Sequence, residues 1–355
     1  MTPLPYTIPS LYCPAAPPRH PQADEIKQRV DAQFAEYGLR EIPEYAAAYD
    51  SMEMSELFVR CHPVGEMSAL LAIAPFFFLA GLDDKPQSAT DAAQQPPGIS
   101  SLIGASAEDV IALMASPDVQ RLVTDPLAAA FLQAGRHFAD VATPDKLRLV
   151  VTRFMEWVTV ERRLTEQEAS GYRPGITEAI HDRMTSVALP LIEAFTAGAF
   201  PGLTHRQVVQ APASEFWQLI ALAAAAHNDL ISGYVEHDVA GNLVNTFARE
   251  PGTTWQEAAD RVADLADRAL AEAQRCLDTL VVSSADPELL DHLTTALAHP
   301  IVAIRWFYPR QMTRRYRTTS LDLTRAIPPL TDEPQNIGPP GIDIIDHLWH
   351  PETGL

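Results

Sequence analysis

The chain has 355 residues, 47% of them hydrophobic and 20% charged, with a formal net charge of −20. That length suits about two domains, or one large helical or barrel domain, and the apolar content excludes global disorder. A uniformly acidic chain is repelled by phosphate backbones and anionic lipid, so nucleic acid and membrane surfaces are excluded as partners.

Proline clusters at both ends and in one internal stretch. It fixes φ and removes a backbone donor, so these stretches are not helix interiors. Residues 1–22 therefore read as an extended N-terminal arm, residues 85–101 as a surface loop and residues 326–355 as a Pro-rich, flexible tail. The opening MTPLPYTIPSLYCP has no basic segment followed by an apolar core, so it is not a secretory signal. Cys13, Cys61 and Cys276 are odd in number, widely spaced and without a CxxC pair. That argues against a disulfide framework or a zinc-thiolate site and suits a reducing cytoplasm.

Between the prolines the periodicity is helical almost throughout. ADEIKQRVDAQFAEYGL, LAAAFLQAGRHFADVA, PDKLRLVVTRFMEWVTVERRL and WQEAADRVADLADRALAEAQRCLDTL carry apolar residues at helical spacing. Pro144 and Pro174 fall where helices should start. Alternation of period two is nearly absent. The reading is all-α, about ten helices in a single domain over residues 23–325.

Three stretches place polar groups against apolar surroundings. The first is SALLAIAPFFFLAGLDDKP, an apolar helix ending at Asp83 and Asp84, with Pro86 forcing a stop. The run Met67 to Leu82 is too short to span a bilayer. Two carboxylates at a helix C-terminus oppose the helix dipole, and a divalent cation would offset them. A solvated acidic helix end is the plain alternative. The second is FWQLIALAAAAHNDLISGYVEHD. Here Asn228, Ser232 and Glu236 fall at i, i+4 and i+8, which stacks three oxygen donors on one helical face. That set can hold Mg²⁺; the plain alternative is the polar face of an amphipathic helix. The third is IRWFYPRQMTRRYRTTS, where Arg314, Arg315 and Arg317 cluster in an acidic chain. Arginine forks suit phosphate, although a basic helix end is also common.

Together these stretches resemble the bacterial class I terpene synthases (terpene cyclases) over roughly residues 8 to 325. NDLISGYVE, residues 228–236, matches that family's NDxxSxxxE motif at Asn228, Asp229, Ser232 and Glu236. Asp83-Asp84 matches its aspartate-rich motif, and Arg315-Tyr316 its Arg-Tyr pair. The resemblance implies an all-α helical bundle around a central cavity, the three motifs meeting at one site and the arm folding over its mouth. Arg183, 45 residues before Asn228, is similar to the family's diphosphate sensor. Ser186 is then its linker and Val187 its effector. Departures are Gln87 at the third acidic position, Val235 where Lys or Arg is usual, and Val187 in place of glycine. Gln87 then leaves Asp83, helped by Asp84, as ligand from that motif.

The implied reaction is Mg²⁺-dependent ionisation of a linear prenyl diphosphate, followed by carbocation cyclisation and release of diphosphate. Asp83, Asp84, Asn228, Ser232 and Glu236 would hold the metal, three ions with substrate bound. Arg183, Asn228, Arg315 and Tyr316 would bind the diphosphate. Phe76 is the first candidate for stabilising the cation through its ring face, with Phe77, Trp217, Trp306 and Phe307 behind it. Core packing is the ordinary alternative for each. His227 points about 100° away from Asn228 on a helix and has at most an indirect role. The alanine-rich stretch Ala221 to Ala226 leaves room for a large substrate, which tilts the reading toward a twenty-carbon diphosphate over a fifteen-carbon one. A homodimer follows only from the resemblance. The alternatives are a chain-elongating isoprenyl diphosphate synthase, which would carry two DDxxD motifs, and a non-catalytic helical binding protein.

Overall fold

Helical periodicity becomes helix wherever an apolar stripe can be buried. The computed structural model describes residues 6–83 (Asp83 as backbone only), 106–115, 123–233, 241–283, 286–310 and 327–349. The expected all-α class holds. In chain order the helices are α1 (Ala23–Glu36), α2 (Pro43–Met52), α3 (Met54–Cys61), α4 (Met67–Asp83), α5 (Ala107–Ala115), α6 (Pro126–Ala139), α7 (Pro144–Ser170) and α8 (Ile176–Ser186). There follow α9 (Leu189–Thr196), α10 (His205–Val209), α11 (Ala213–Ser232), α12 (Leu243–Ala248), α13 (Trp255–Val282), α14 (Pro287–Val302) and α15 (Asp343–Asp346). Among the described residues the only sheet is a parallel pair, β1 (Leu11–Tyr12) with β2 (Leu330–Thr331). No helix among them is long and apolar enough to cross a membrane.

Local chemistry sets the helix starts. Asp125 accepts a hydrogen bond from the Ala128 N–H at 2.9 Å, with Pro126 in the first turn. Thr254 and Glu257 form a reciprocal capping box that opens α13. Asp286 accepts from the Glu288 and Leu289 N–H groups ahead of Pro287. Pro144 begins α7 as expected, whereas Pro174 lies just outside α8, whose N-cap is Gly175.

The contacts divide the chain into two compact units, with one boundary inside α7. One unit holds residues 18–159 and 191–205. Its centre is α4, against which α1, α3 and α6 pack. Phe34 stacks on Tyr49 with ring centroids 3.9 Å apart, and Phe78 meets Phe34 edge-on at 5.5 Å.

The other unit holds residues 1–17, 160–190 and 206–355. There α11 is central, packed by α8, α12, α13 and α14. The arm and the tail belong to this unit. The Tyr12 N–H donates to Asp267 Oδ1 at 2.8 Å, and the buried Asp267 carboxyl is pushed up to about 6. Arg305 donates to the carbonyls of Cys13 and Pro14. It sits in a π-helical segment, Ala303–Phe307, that follows Pro300, whose missing N–H already interrupts the ladder of α14. The tail is packed where described: Leu330 and Thr331 pair with Leu11 and Tyr12, and Ile345, Leu348 and Trp349 are buried. All three cysteines are free and buried.

Candidate active site

The C-terminal turn of α11 carries a connected polar cluster. Twelve consecutive residues, Leu219 to Leu230, include only three polar side chains, His227, Asn228 and Asp229. Asp229 is 1% exposed, so its charge must be met inside the protein. Arg183 meets it from the last turn of α8. Its Nε donates to Asp229 Oδ2 at 3.1 Å and its Nη2 to Oδ1 at 2.6 Å, a two-point fork. The Leu243 N–H, at the start of α12, donates to the same Oδ2 at 2.7 Å.

The remaining N–H groups of Arg183 reach the residues that the sequence marked. Nη2 also donates to Asn228 Oδ1 at 2.8 Å, and Nη1 to Ser186 Oγ at 2.7 Å. A guanidinium only donates, so the oxygen of the Asn228 amide faces Arg183. Its Nδ2 donates to the Tyr308 hydroxyl at 3.2 Å. Ser232, one turn beyond Asn228, is buried and receives a long contact of 3.5 Å from Asn242 Nδ2. Asn242 also donates to the Asp229 carbonyl at 3.1 Å and caps α12 through Val244 and Asn245. The arm reaches this place too: the Tyr6 hydroxyl donates to the Leu230 carbonyl at 2.8 Å. That carbonyl is one of the groups a helix end leaves unpaired.

Four expected site residues thus meet here: Arg183 with Ser186 and Asn228, and Ser232 one turn on. Asp84, Gln87, Val235, Glu236, Arg314, Arg315, Tyr316 and Arg317 lie outside the described residues. Asp83 is the last helical residue of α4. Val187 ends α8 in an ordinary backbone conformation, φ −68°, so glycine is not required there. The left-handed conformation falls on the next residue, Ala188, at φ +63°. That is a strained position for an L-residue, at the break between α8 and α9.

The aromatic candidates are committed to packing. Phe76 is buried, with its ring centroid 5.5 Å from Phe138, 5.7 Å from Phe131 and 6.4 Å from Phe195. Phe77 meets Phe58 edge-on at 5.4 Å. The Trp217 indole N–H donates to His292 Nε2 at 2.9 Å. Arg310 lies over the Trp306 ring at 4.7 Å. Phe307 meets the Tyr308 ring at 5.6 Å. His227 is fully buried with no hydrogen-bond partner among the described residues, and burial pushes its pKa down to about 3, so it is neutral. On α11 the partly exposed residues are Ser214, Glu215 and Gln218 near its start and Asn228 near its end, while Trp217, Ala221 and Ala224 are buried.

Asp229 lies within the motif, and the motif alone assigns it no role. An aspartate on a helix otherwise apolar all round was the available signal, since it needs a buried cation. Asn242 after Gly241 was readable as an N-cap. Tyr308 and Tyr6 carried no signal of their own.

The donor set fits a hard cation. Asn228 Oδ1 and Ser232 Oγ are neutral oxygens one turn apart at the negative end of a helix dipole, and among the described residues no cluster of three His, Cys, Asp or Glu side chains offers a softer site. Residues 103–272 match the family described as terpene synthase family 2, C-terminal metal binding. The chain is 24% identical to a (+)-(1(10)E,4E,6S,7R)-germacradien-6-ol synthase of Streptomyces pratensis over 298 residues, 81% of each chain. It is 22% identical to the tsukubadiene synthase of Streptomyces tsukubensis over 352 residues, 96% of this chain and 98% of that one. Among solved structures, hedycaryol synthase in complex with nerolidol superposes with a TM-score of 0.63 at 18% identity, covering 84% of this chain and 99% of that one. The motif at the end of α11, the helical fold and these likenesses point the same way: residues 103–272 match the terpene synthase metal-binding family, and the chain is similar along most of its length to bacterial terpene synthases.

Proposed function

We propose that this class I terpene cyclase performs Mg²⁺-dependent ionisation of geranylgeranyl diphosphate, in preference to farnesyl diphosphate, and closes the cation to a cyclic terpene. The observation that carries the reading is the cluster in which Arg183 grips Asp229 beside the Asn228 and Ser232 oxygens. Asn228 and Ser232, with Glu236 and the Asp83-Asp84 pair, are the proposed ligands for three Mg²⁺ ions. Magnesium, when bound, supplies positive charge to the departing diphosphate. Arg183, Arg315 and Tyr316 donate hydrogen bonds to its oxygens, and Asn228 is held in register by Tyr308.

The length preference is supported by the alanines of α11. Ala221 and Ala224 keep side-chain bulk low along the face that leads to Asn228. Ser186 and Val187, next to the strained Ala188, are the proposed relay between Arg183 and the α8–α9 break. Phe76, Phe77 and Trp306 are proposed as aromatic walls acting through packing. The neutral, enclosed setting of His227 adds no nucleophile to the site. A cytoplasmic enzyme, as monomer or homodimer, suits this chemistry.

The test is incubation of the purified protein with Mg²⁺ and, separately, the ten-, fifteen- and twenty-carbon diphosphates, with solvent extracts analysed by gas chromatography and mass spectrometry. A cyclic product from the twenty-carbon substrate is expected. Longer linear diphosphates would overturn cyclisation in favour of elongation, and product from the fifteen-carbon substrate alone would overturn the length preference.

A further inference from the structure

The oxygen that Asn228 would offer to a metal is already engaged by a cation. Arg183 Nη2 donates to Asn228 Oδ1 at 2.8 Å. A flipped amide would set its NH₂ against the Arg183 donors, so Oδ1 stays on the arginine side while Nδ2 meets Tyr308. The guanidinium is not evenly held. Its Nε–Nη2 edge is locked to Asp229 by two charge-assisted bonds, and Asp229 is itself fixed by the Leu243 N–H. The bonds to Asn228 and Ser186 are each single and to neutral oxygens. The Asp229 edge is therefore the strong hinge, and the Asn228 and Ser186 contacts are the exchangeable ones.

We propose that Arg183 and a divalent cation compete for Asn228 Oδ1, with Asp229 as the positioning residue about which Arg183 turns. The inference rests on the metal-site reading above and deepens it. A cation held by Asn228 Oδ1 would share that oxygen with the Arg183 N–H. Like charges sharing one oxygen repel, and the guanidinium must give up its bond. It stays tethered to Asp229 with its outer N–H groups freed. Those groups are the ones able to take up a phosphate oxygen. Metal loading and diphosphate capture thereby become two halves of one exchange, and each raises the affinity for the other.

The competition has a signature that a merely structural ion pair lacks: removing the arginine's outer arm tightens metal binding while diphosphate is absent. The probe is Mn²⁺ alone, with free ion followed by electron paramagnetic resonance in titrations of the full chain. Two variants are used because a lone Asp229 would burden folding. Arg183→Gln with Asp229→Asn removes both charges together. Arg183→Lys keeps a cation for Asp229 but lacks the second edge that reaches Asn228. Both are expected to bind Mn²⁺ at least about fivefold more tightly than wild type. Adding Asn228→Ala to either is expected to erase that gain. Inorganic diphosphate should tighten Mn²⁺ binding more in wild type than in the double variant.

Unchanged or weaker Mn²⁺ affinity in a folded variant overturns the competition. So does a gain that survives loss of Asn228. The metal-site reading is separable, because Asn228→Ala alone should lose Mn²⁺ bound by wild type. If it does so while the Arg183 variants show no gain, only the competition fails. If Asn228→Ala binds Mn²⁺ as wild type does, the metal site fails and the competition with it.

Discussion

Asp182 and Arg183 are neighbours on α8, and each belongs to an ion pair with a buried carboxylate. Asp182 is 1% exposed, while its partner Arg163 keeps 47% of its side chain in solvent. That pair is made through one carboxylate oxygen, and Oδ2 of Asp182 has no hydrogen-bond partner among the described residues. Burial raises the Asp182 pKa, with the Arg163 charge pulling it back only in part. The Asp229 pair is the opposite case. Arg183 is 16% exposed and both carboxylate oxygens are satisfied. Identical residue types one position apart thus do different work. The first is a staple between α7 and α8 that tolerates imperfection. The second is a fully paired hinge with donors left over for neighbours.

The comparison can be broken most forcefully at Arg183. Arg183→Ala leaves the Asp229 carboxylate buried without its cation, and the expected loss of stability is about 3–5 kcal/mol. Urea denaturation measures this, and turnover should vanish in whatever fraction remains folded. Gly233→Ala attacks the same end of α11 by shape rather than charge. A Cβ there would lie 2.7 Å from the Asp229 carbonyl and against the Tyr6 hydroxyl. A cost of about 1–3 kcal/mol is expected, with reduced kcat, since backbone has to move.

Arg163→Ala sharpens the other side. It should cost about 1–2 kcal/mol near neutral pH, between the limits for exposed and buried pairs. The sign with pH follows from the raised Asp182 pKa. An acid whose folded pKa exceeds its unfolded value of 3.8 contributes most stability below that value. The contribution is lost as pH rises through the folded pKa. The Arg163→Ala penalty should therefore shrink toward pH 3.8, because Asp182 takes up a proton and needs no partner. Asp182→Asn should flatten wild type's fall in stability over the same window. Thermal melts across pH would show both, and a penalty that grows toward acid pH would contradict the staple reading.

How much of this was legible follows from the range of each signal. Periodicity and capping act within a few residues, so α1, α6, α7 and α13 could be read almost to their ends. Asn228 and Ser232 were legible because one helix spaces them. The Asp229 partnership was not, because it joins residues 46 apart through two helices that only packing brings together. The tail misled for a related reason. Its prolines correctly excluded long helix, yet exclusion from helix is not flexibility: Leu330 and Thr331 find a ladder on the arm, and Trp349 is buried. The π-helical turn after Pro300 had a local cause, but its use in carrying Arg305 to the arm did not.

The parallel pairing of Leu11–Tyr12 with Leu330–Thr331 also has a consequence in time. A parallel ladder cannot form until both strands exist, and here they lie 319 residues apart. During synthesis residues 11–12 emerge well before residues 330–331 and must wait for them. Until then the Tyr12 N–H can use Asp267, while the Leu11 and Cys13 N–H groups lack their acceptors, the carbonyls of Pro329 and Thr331. The emergence of residues 330–331 is thus the step that completes the ladder on the arm, and through Tyr6 and Leu230 the arm touches the end of α11. A chain released before residue 330 would hold α11 with the ladder on its arm still open.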